Sequence, residues 1–253
     1  MSIIKTRALS KRFGGVQAVN KLDMSIEEGS IHGLIGPNGS GKTTTFNLLS
    51  GVIPASEGTI QFLDADITRQ KPHEIAKLGI SRTFQQPRIM PRLTCVENVM
   101  CGMYHKTKAD ILGTFFRLPF TNSKQEEMIR ERSMELLEFV GLLKNAKRMA
   151  GELVWAEHHL LQIARALIAE PKLLMLDEPT AGMGEEEINK MKSLLLDINK
   201  KGVTLLLIAH DVKLVTEVSQ TITAIEFGIK IAEGLPDEVK NNQKVVEAYL
   251  GTE

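Results

Sequence analysis

Cysteine and the large aromatic residues are scarce in this chain of 253 residues, which has two cysteines, one tryptophan and two tyrosines. Cys95 and Cys101 lie with no third or fourth ligand at metal spacing nearby. This excludes a disulfide scaffold and favours two buried or half-buried thiols in a reducing compartment over a metal site. No apolar run reaches the roughly 20 residues that a bilayer-spanning helix needs, and the N-terminus lacks the apolar core of a signal peptide. We therefore expect a protein that stays in the cytosol.

An excess of charge of one sign is also missing, because Lys plus Arg and Asp plus Glu number 31 each and the formal net charge is zero. A broad surface for polyanions is therefore not indicated, and we expect no nucleic-acid partner. Hydrophobic residues make up 43% and charged residues 25%, which excludes a disordered or collagen-like chain. The length suits one large domain or a core with an inserted subdomain.

Short apolar segments alternate with turns and helical patterns and predict an α/β fold. The first part of the chain has predicted strands at 3–9, 22–26, 31–35 and 59–62 and a helix at 42–50. The last third has predicted strands at 172–176 and 203–209, a helix at 185–200, and a hairpin at 222–227 and 230–233. Strands that are apolar throughout and alternate with helices indicate a parallel sheet covered on both faces.

The middle of the chain has mostly helical patterns. A capping-box pattern at 123–126 opens a helix to about residue 140. Its apolar positions, at near-helical spacing, are Met128, Met134, Leu137 and Val140. A second helix is predicted at 157–169, and no structure is assigned to 104–120.

A glycine-rich loop at 36–43 connects the strand at 31–35 to the following helix. It reads Gly-Pro-Asn-Gly-Ser-Gly-Lys-Thr and matches the full phosphate-loop pattern G-x-x-x-x-G-K-[ST]. Glycines allow tight turns that point backbone N–H groups at phosphate oxygens, and the helix N-terminus adds the positive end of its dipole. The lysine supplies charge for the β- and γ-phosphates. The alternative, a glycine-rich turn with a chance lysine, is disfavoured by the complete pattern in this context.

The nucleotide-contacting residues expected from this loop are Gly36, Pro37, Asn38, Gly39, Ser40, Gly41, Lys42, Thr43 and Thr44. Among them, Thr43 offers its hydroxyl to Mg²⁺, and Thr44 lies within reach of the α-phosphate.

An apolar strand at 173–176 ends in two acidic residues, Asp177 and Glu178. At the carboxyl end of a strand, Asp177 can hold Mg²⁺ through water, and Glu178 can then act as general base for an attacking water. The same acids could instead be ordinary helix-start or turn residues. The phosphate loop elsewhere in the chain favours the first interpretation.

Together these residues resemble the ATP-binding subunits of ABC transporters, and the resemblance covers nearly the whole chain. It implies a phosphate-loop NTPase (RecA-like) core with a mostly parallel sheet, an N-terminal antiparallel β subdomain and an inserted α-helical subdomain. In that arrangement 1–253 is a single ABC ATPase domain, in which 1–94 and 166–253 form the nucleotide-binding core and 95–165 the helical subdomain. The implied cofactors are ATP and Mg²⁺.

Three further residues take their roles from this resemblance. Gln85 occupies the place of the Q-loop glutamine, which links Mg²⁺ and water to the subdomain that touches the membrane subunit. His210 resembles the switch histidine that contacts the γ-phosphate. Phe13 lies where the family stacks an aromatic ring on adenine, and a plain core position is the alternative for this residue.

Within the family, the chain is most similar to the ATPase subunits of branched-chain amino acid importers. The resembling stretches are 11–19, 82–85, 112–119, 181–183, 232–234 and 247–251. The resemblance implies ATP hydrolysis that energises import of branched-chain or other hydrophobic amino acids, although importers of urea or amides have similar ATPases. The implied partners are a second ABC ATPase subunit, membrane permease subunits and, indirectly, a solute-binding protein. They place the chain peripherally on the cytoplasmic face of the inner membrane.

The family signature Leu-Ser-Gly-Gly-Gln is replaced here by Leu-Val-Trp-Ala-Glu at 153–157. In the family, the signature of one subunit closes over the ATP held by the phosphate loop of the other. Val154 has no hydroxyl, and Trp155 is bulky where close backbone approach is required. We expect Glu157 to add negative charge near phosphate. The loop at 181–184 also has glycine where many relatives carry Asp or Asn.

These changes affect a partner's site and leave this chain's own nucleotide residues intact. We therefore expect an asymmetric pair, in which this chain hydrolyses ATP when a different ATPase subunit supplies an intact signature. The alternative is that the altered segment repacks and is tolerated. A rival function is a soluble or weakly hydrolysing ABC ATPase that acts as a nucleotide-dependent interaction subunit. A small-molecule kinase is disfavoured because no substrate-binding lid is recognisable.

Overall fold

The computed structural model describes residues 1–103, 123–209 and 212–250, which fall into two units. The first unit combines residues 1–82 with the chain from residue 172 onward, and the second contains residues 83–171. Among the helices of these described ranges, none is both long and apolar enough to span a bilayer.

The first unit begins with a four-stranded antiparallel sheet. Its strands, in the order β2-β1-β4-β5, are β1 (Ser2–Phe13), β2 (Val16–Glu27), β4 (Glu57–Phe62) and β5 (Ala65–Asp66). Along β2, buried Leu22, Met24 and Ile26 alternate with more polar residues, which is the period of a strand with one face in the core. The strands predicted in this part of the chain are confirmed and extend further than predicted.

A six-stranded sheet carries the loops of the candidate site. Its strands are β3 (Ile31–Ile35), β6 (Ile80–Arg82), β7 (Leu173–Asp177), β8 (Thr204–Ile208), β9 (Thr221–Glu226) and β10 (Ile229–Gly234). Their order is β10-β9-β3-β8-β7-β6, and every neighbouring pair is parallel except β9 with β10. Every residue of β3, β7 and β8 is buried, so the predicted, mostly parallel sheet is confirmed.

Helices accompany this sheet in the first unit. They are α1 (Lys42–Leu49), α2 (Pro72–Leu78), α6 (Glu185–Lys200), α7 (Val212–Val218), α8 (Pro236–Lys240) and α9 (Gln243–Leu250). The buried residues of α6 are Met191, Leu194, Leu195 and Ile198, whose spacing of three and four places one apolar face against the core.

Helices also dominate the described residues of the second unit. They are α3 (Cys95–Met100), α4 (Ser123–Phe139) and α5 (Trp155–Leu167), with single 3-10 turns at Cys101–Met103, Leu143–Asn145 and Ala150–Glu152. A capping box opens α3, because the Glu97 carboxylate accepts from the Thr94 N–H at 2.7 Å and the Thr94 hydroxyl accepts from the Glu97 N–H at 3.3 Å.

Two side-chain predictions for the second unit are wrong. Met128 is 61% exposed, because the inward face of α4 is formed instead by Ser133, Leu136 and Leu137. Cys95 is buried, as predicted, but Cys101 is exposed; both are free thiols. The side chain of Ser123, on which the proposed capping box at 123–126 depends, lies outside the described residues, and so does the segment at 104–120.

The division between the two units lies outside the 95–165 range predicted for the helical subdomain. Gln162 on α5 shows why residues from 83 onward belong with the helices. Its Oε1 accepts from the Phe84 N–H at 3.0 Å, and its Nε2 donates to the Phe84 carbonyl at 3.0 Å. Asn98 on α3 holds Met90 in the same way, accepting from its N–H at 2.8 Å. The contact of Gln162 with Phe84 joins residues 78 positions apart in sequence, which local patterns do not reveal.

Candidate functional site

The phosphate-loop segment, residues 36–43, connects the buried strand β3 to α1. Its backbone needs glycine at two points, since φ is +154° at Gly36 and +103° at Gly41, the residue that caps α1. A Cβ on Gly36 would lie 2.1 Å from the carbonyl oxygen of Ile225, and one on Gly41 would lie 2.4 Å from that of Ala18. The loop therefore packs directly on the backbones of β9 and β2, which hold its shape.

Hydrogen bonds tie this loop to the two neighbouring hairpins of the first unit. The Gly228 N–H, in the turn between β9 and β10, donates to the Ser40 carbonyl at 2.8 Å. The Asn20 N–H on β2 donates to the Gly228 carbonyl at 2.8 Å. The loop is thereby connected to the hairpin of β1 and β2, which carries Phe13 at its tip.

Phe13 presents its ring at the surface of the first unit. The residue is 49% exposed, and the Lys11 ammonium lies 5.1 Å from the ring centroid. The alternative of a plain core position for Phe13 is therefore wrong, and the Lys11 ammonium lies over one face of the ring.

Lys42, the first residue of α1, is buried within the loop. Its Nζ donates to the Gly36 carbonyl at 2.6 Å and to the Pro37 carbonyl at 2.9 Å. Burial lowers the pKa of the Lys42 amine, and the negative charges of Glu178 and Asp177 oppose that shift. Both acids therefore lie close enough to the loop for their charges to act on the same amine.

Glu178 has a strained backbone at the end of β7. Its φ is +49°, in the left-handed region that a residue with a Cβ rarely adopts. The Glu178 N–H donates to the Ile208 carbonyl of β8 at 2.8 Å, which helps to hold this conformation. Strain of this kind is typical of functional sites, where the surrounding structure holds a side chain in one direction.

Arg82 forms a buried ion pair with Asp177. Its Nη2 lies 2.9 Å from the Asp177 Oδ2, and the two side chains are 8% and 5% exposed. Its Nη1 donates to the Asn47 Oδ1 at 2.6 Å and to the Ser50 Oγ at 3.0 Å, and its guanidinium carbon lies 5.5 Å from the centroid of the Phe46 ring. The sequence alone does not predict this role, because the ion pair joins residues on different strands and no local pattern links them.

The oxygen donors around the loop fit Mg²⁺. Thr43 places an exposed hydroxyl-bearing side chain on the first turn of α1, and Asp177 ends β7 with a buried carboxylate. Hydroxyl and carboxylate oxygens are the hard ligands that this ion prefers. Thr44, partly buried beside Thr43, belongs to the same helical turn.

Two family models match this chain. The model described as ABC transporter matches residues 19–181, and the model described as branched-chain amino acid ATP-binding cassette transporter matches residues 230–253. The chain belongs to the ABC transporter family.

Individual relatives of this ABC ATPase agree with that result. It is 38% identical to the high-affinity branched-chain amino acid transport ATP-binding protein BraF of Pseudomonas aeruginosa, with 98% of each chain covered. It is 36% identical to the LivG protein of Salmonella typhimurium, described in the same words, again with 98% of each chain covered. The crystal structure of the ADP conformation of MJ1267, an ATP-binding cassette of an ABC transporter, superposes with a TM-score of 0.86 at 34% identity and covers 99% of both chains.

The predicted site residues of the ABC ATPase are distributed over both units. The phosphate loop, Phe13, Asp177 and Glu178 all lie in the first unit, in the loop itself or at the ends of strands. Gln85 is an exposed residue of the second unit. His210 lies outside the described residues.

The altered signature segment, residues 153–157, forms the start of α5 in this ABC ATPase. The helix begins at Trp155, which is 46% exposed, and the preceding Val154 is 63% exposed. The Trp155 ring packs edge-on against the ring of His159, with 5.4 Å between the centroids. Two exposed apolar side chains therefore stand at the start of α5, where the family resemblance implies a serine and a glycine.

Glu157 turns its carboxylate back onto its own helix. One oxygen accepts from the Val154 N–H at 3.0 Å, and the other accepts from the Asn145 side-chain amide at 3.0 Å. The residue thus caps α5 from its third position. The role predicted for Glu157 from the sequence was a charge near phosphate, and the capping contact was not predicted.

Tyr249 on α9 also contacts the phosphate loop of the ABC ATPase and was missed as a site residue. Its hydroxyl accepts a hydrogen bond from the Gly36 N–H at 2.9 Å. Burial raises the pKa of the Tyr249 phenol, and the bond from Gly36 opposes that shift. Because α9 lies inside the region matched by the branched-chain model, the C-terminal part that distinguishes this group reaches the loop directly.

Proposed function

We propose that this chain is the ATP-binding and ATP-hydrolysing subunit that energises an ABC importer of branched-chain or other hydrophobic amino acids. The observation that carries the proposal is the phosphate loop, with Lys42 buried against its carbonyls, in the same unit as the acidic strand end at Asp177 and Glu178. The match of residues 230–253 to the branched-chain group supports the substrate class. The rival, a soluble interaction subunit, is not favoured, because the relatives are named as transport ATP-binding proteins.

Hydrolysis needs a positioned water, a base and stabilisation of the charge that develops on the γ-phosphate. The loop N–H groups, the N-terminal dipole of α1 and Lys42 bind the phosphates. Glu178 accepts a proton from the water whose oxygen attacks the γ-phosphorus, while the bond to the β–γ bridging oxygen breaks and yields ADP and phosphate. Thr43 and Asp177 would hold Mg²⁺, and the ion would supply neutralisation of phosphate charge.

Three residues complete the proposed site. Phe13 stacks on the adenine ring, in keeping with its exposed ring at the tip of the β1–β2 hairpin. Two further roles rest on the family resemblance. Gln85 is a ligand of Mg²⁺ and water, and His210 contacts the γ-phosphate.

We also propose that this chain forms an asymmetric pair with a second ABC ATPase that has an intact signature. The pair binds permease subunits on the cytoplasmic face of the membrane, and a solute-binding protein is an indirect partner. ATP closes the pair, and hydrolysis removes the γ-phosphate contacts that hold it closed. The exposed Val154 and Trp155 support the asymmetry, because they replace the hydroxyl and the open backbone that a partner's γ-phosphate would contact.

The asymmetry is tested by measuring ATPase activity of the purified chain alone and mixed with the second ATPase subunit of the same transporter. We expect slow turnover alone and a rise of roughly 100-fold on mixing, the effect of restoring charge-stabilising donors at one site. Glu178→Gln in this chain should abolish the gain, which attributes it to this chain's own site. Robust turnover by the chain alone would refute the asymmetric pair.

The transport function is tested with the complete transporter in proteoliposomes, with ATP on the side of the ATPase subunits. We expect ATP-dependent uptake of labelled leucine, competition by isoleucine and valine, and loss of uptake with Lys42→Ala. Uptake of urea or an amide without uptake of leucine would overturn the substrate class and leave the ATPase role in place. No ATP-dependent uptake of any of these solutes would overturn the transport function.

A further inference from the structure

Arg82 is a buried charged residue that the proposed hydrolysis steps do not use. It ends β6, the edge strand of the six-stranded sheet, where it is level with Met175 of β7. From there its side chain reaches Asp177, two residues further along β7, with 2.9 Å between Nη2 and Oδ2. Breaking a pair this well buried is costly, so the two side chains hold one arrangement.

The guanidinium of Arg82 joins two elements of the first unit. Its Nη1 donates to Asn47 and Ser50 on α1, while its Nη2 faces Asp177 at the end of β7. Because a guanidinium is planar and its donors have fixed directions, these contacts determine the angle at which it meets the carboxylate. The Phe46 ring, with its centroid 5.5 Å away, restricts the guanidinium further. Since α1 begins in the phosphate loop, Arg82 connects the helix of the loop to the acid proposed to hold Mg²⁺.

We propose that Arg82 is a positioning residue that sets the Mg²⁺ affinity of the nucleotide site by fixing the orientation of the Asp177 carboxylate. The inference rests on the proposed function, in which Asp177 is a Mg²⁺ ligand. Partners that orient a metal-binding carboxylate typically change metal affinity by 10–100-fold when they are removed. A lysine at position 82 keeps the positive charge and cannot contact Asn47, Ser50 and Asp177 in one planar fork.

The experiment measures binding of a fluorescent ATP analogue to the full chain, first in EDTA and then at increasing Mg²⁺ concentration. For Arg82→Lys we expect affinity in EDTA within about twofold of the parental value, because Lys42 and the loop are unchanged. The Mg²⁺ concentration at half-maximal response should rise about tenfold. Because the charge is retained, this shift reports orientation. The inference is overturned if Arg82→Lys reaches half-maximal response at the same Mg²⁺ concentration as the parental chain. It is also overturned if the variant loses affinity for the ATP analogue equally with and without Mg²⁺.

A second variant removes an anchor of the guanidinium and leaves Arg82 in place. Asn47→Ala deletes one acceptor on α1 and should raise the half-maximal Mg²⁺ concentration about threefold, less than Arg82→Lys, because Ser50 and Asp177 still hold the guanidinium. Arg132→Lys is the matched control, because Arg132 pairs with Glu135 at the surface and both side chains are more than half exposed. It should change neither measurement. If thermal unfolding shows that Arg82→Lys does not fold, Asn47→Ala decides, and a parental value there overturns the inference.

The parental chain separates failure of the inference from failure of the proposed function. A parental chain that binds no ATP analogue, or binds it without a response to Mg²⁺, contradicts the proposed function and with it the role of Arg82. If the parental chain and the variants all respond at the same Mg²⁺ concentration, the role of Arg82 is contradicted and the proposed function stands.

Discussion

Lys42 shows how burial and charge combine at a single residue. The loop carbonyls of Gly36 and Pro37 accept hydrogen bonds from its amine, and two acids oppose the loss of its charge. An amine held in this way is available to phosphate oxygens with little loss of side-chain freedom, because its direction is already set by the loop.

Lys42→Ala should reduce ATP affinity by roughly 100-fold or more, because it removes the charge-assisted contact to the β- and γ-phosphates. Calorimetric titration with ATP measures the loss, and thermal unfolding checks that the variant folds. Lys190→Ala serves as control, since Lys190 pairs with Glu186 at the exposed surface and should leave the affinity unchanged. An affinity within threefold of the parental value would remove Lys42 from the proposed site.

Glu178→Gln should preserve ATP binding and slow hydrolysis by about 10²–10⁴-fold, the usual contribution of a general base. The amide has the shape of the carboxylate but does not accept the proton of water at neutral pH. Phosphate release, measured with the second ATPase subunit present, gives the rate, and Glu186→Gln on the exposed face of α6 is the matched control. A parental rate for Glu178→Gln would assign the base to another residue.

His32, buried on β3, makes stability depend on pH. Burial lowers the pKa of His32 to about 4, and the charge of Lys230 acts in the same direction. Since an unfolded histidine titrates near 6.5, the unfolded chain binds more protons between about pH 6.5 and 4. The contribution of His32 to stability is therefore complete above about pH 6.5 and is lost as pH falls towards 4.

His32→Asn should reduce the difference in unfolding free energy between pH 7 and pH 5 by about 1–2 kcal/mol, because it removes the group that takes up the proton. Urea unfolding at the two pH values measures this difference. His73→Asn, at an exposed position of α2, should leave it unchanged. An unchanged difference for His32→Asn would show that other groups determine the acid sensitivity.

At the scale of elements, the C-terminal helix α9 reaches the start of the phosphate loop through one side chain. Tyr249→Phe deletes the acceptor of the Gly36 N–H and should lower the unfolding free energy by about 1–2 kcal/mol. Leu250→Ala, at a 70% exposed position of the same helix, is the control and should have little effect in the same urea titration. Equal stability of Tyr249→Phe and the parental chain would mean that this contact does not hold the loop.

Strands and helices were predicted correctly where their residue patterns are long. They were missed where an element is short and depends on pairing with a neighbouring strand. The strands β1, β2, β7 and β8 were predicted because apolar runs or alternation persist over several residues. The strand β6 has only three residues, Ile80–Arg82, and exists through its pairing with β7. The short helices α2 and α3 were not predicted individually, because so few residues show too little periodicity.

At the scale of the whole molecule, the altered signature segment decides whether two copies of this chain form a competent pair. Replacing Val154 by Ser and Trp155 by Gly should raise ATPase activity of the chain alone roughly 100-fold, because the hydroxyl and the open helix start return. Phosphate release at increasing protein concentration measures the gain, which should depend on association. Adding Glu178→Gln to these substitutions should remove the gain. Activity that stays at the parental level would show that the segment is not the limiting feature.

The sequence by itself determined the phosphate loop, the acidic strand end, the family and the mostly parallel sheet, because each depends on residue types at short, regular spacing. Only the tertiary structure decided the contact of Arg82 with Asp177, the bond from Gly36 to Tyr249 and the extent of the two units. Glu157 belongs with them, since one of its two partners lies on a different turn. Such contacts join residues that are distant along the chain, and their partners become known only when strands and helices have packed.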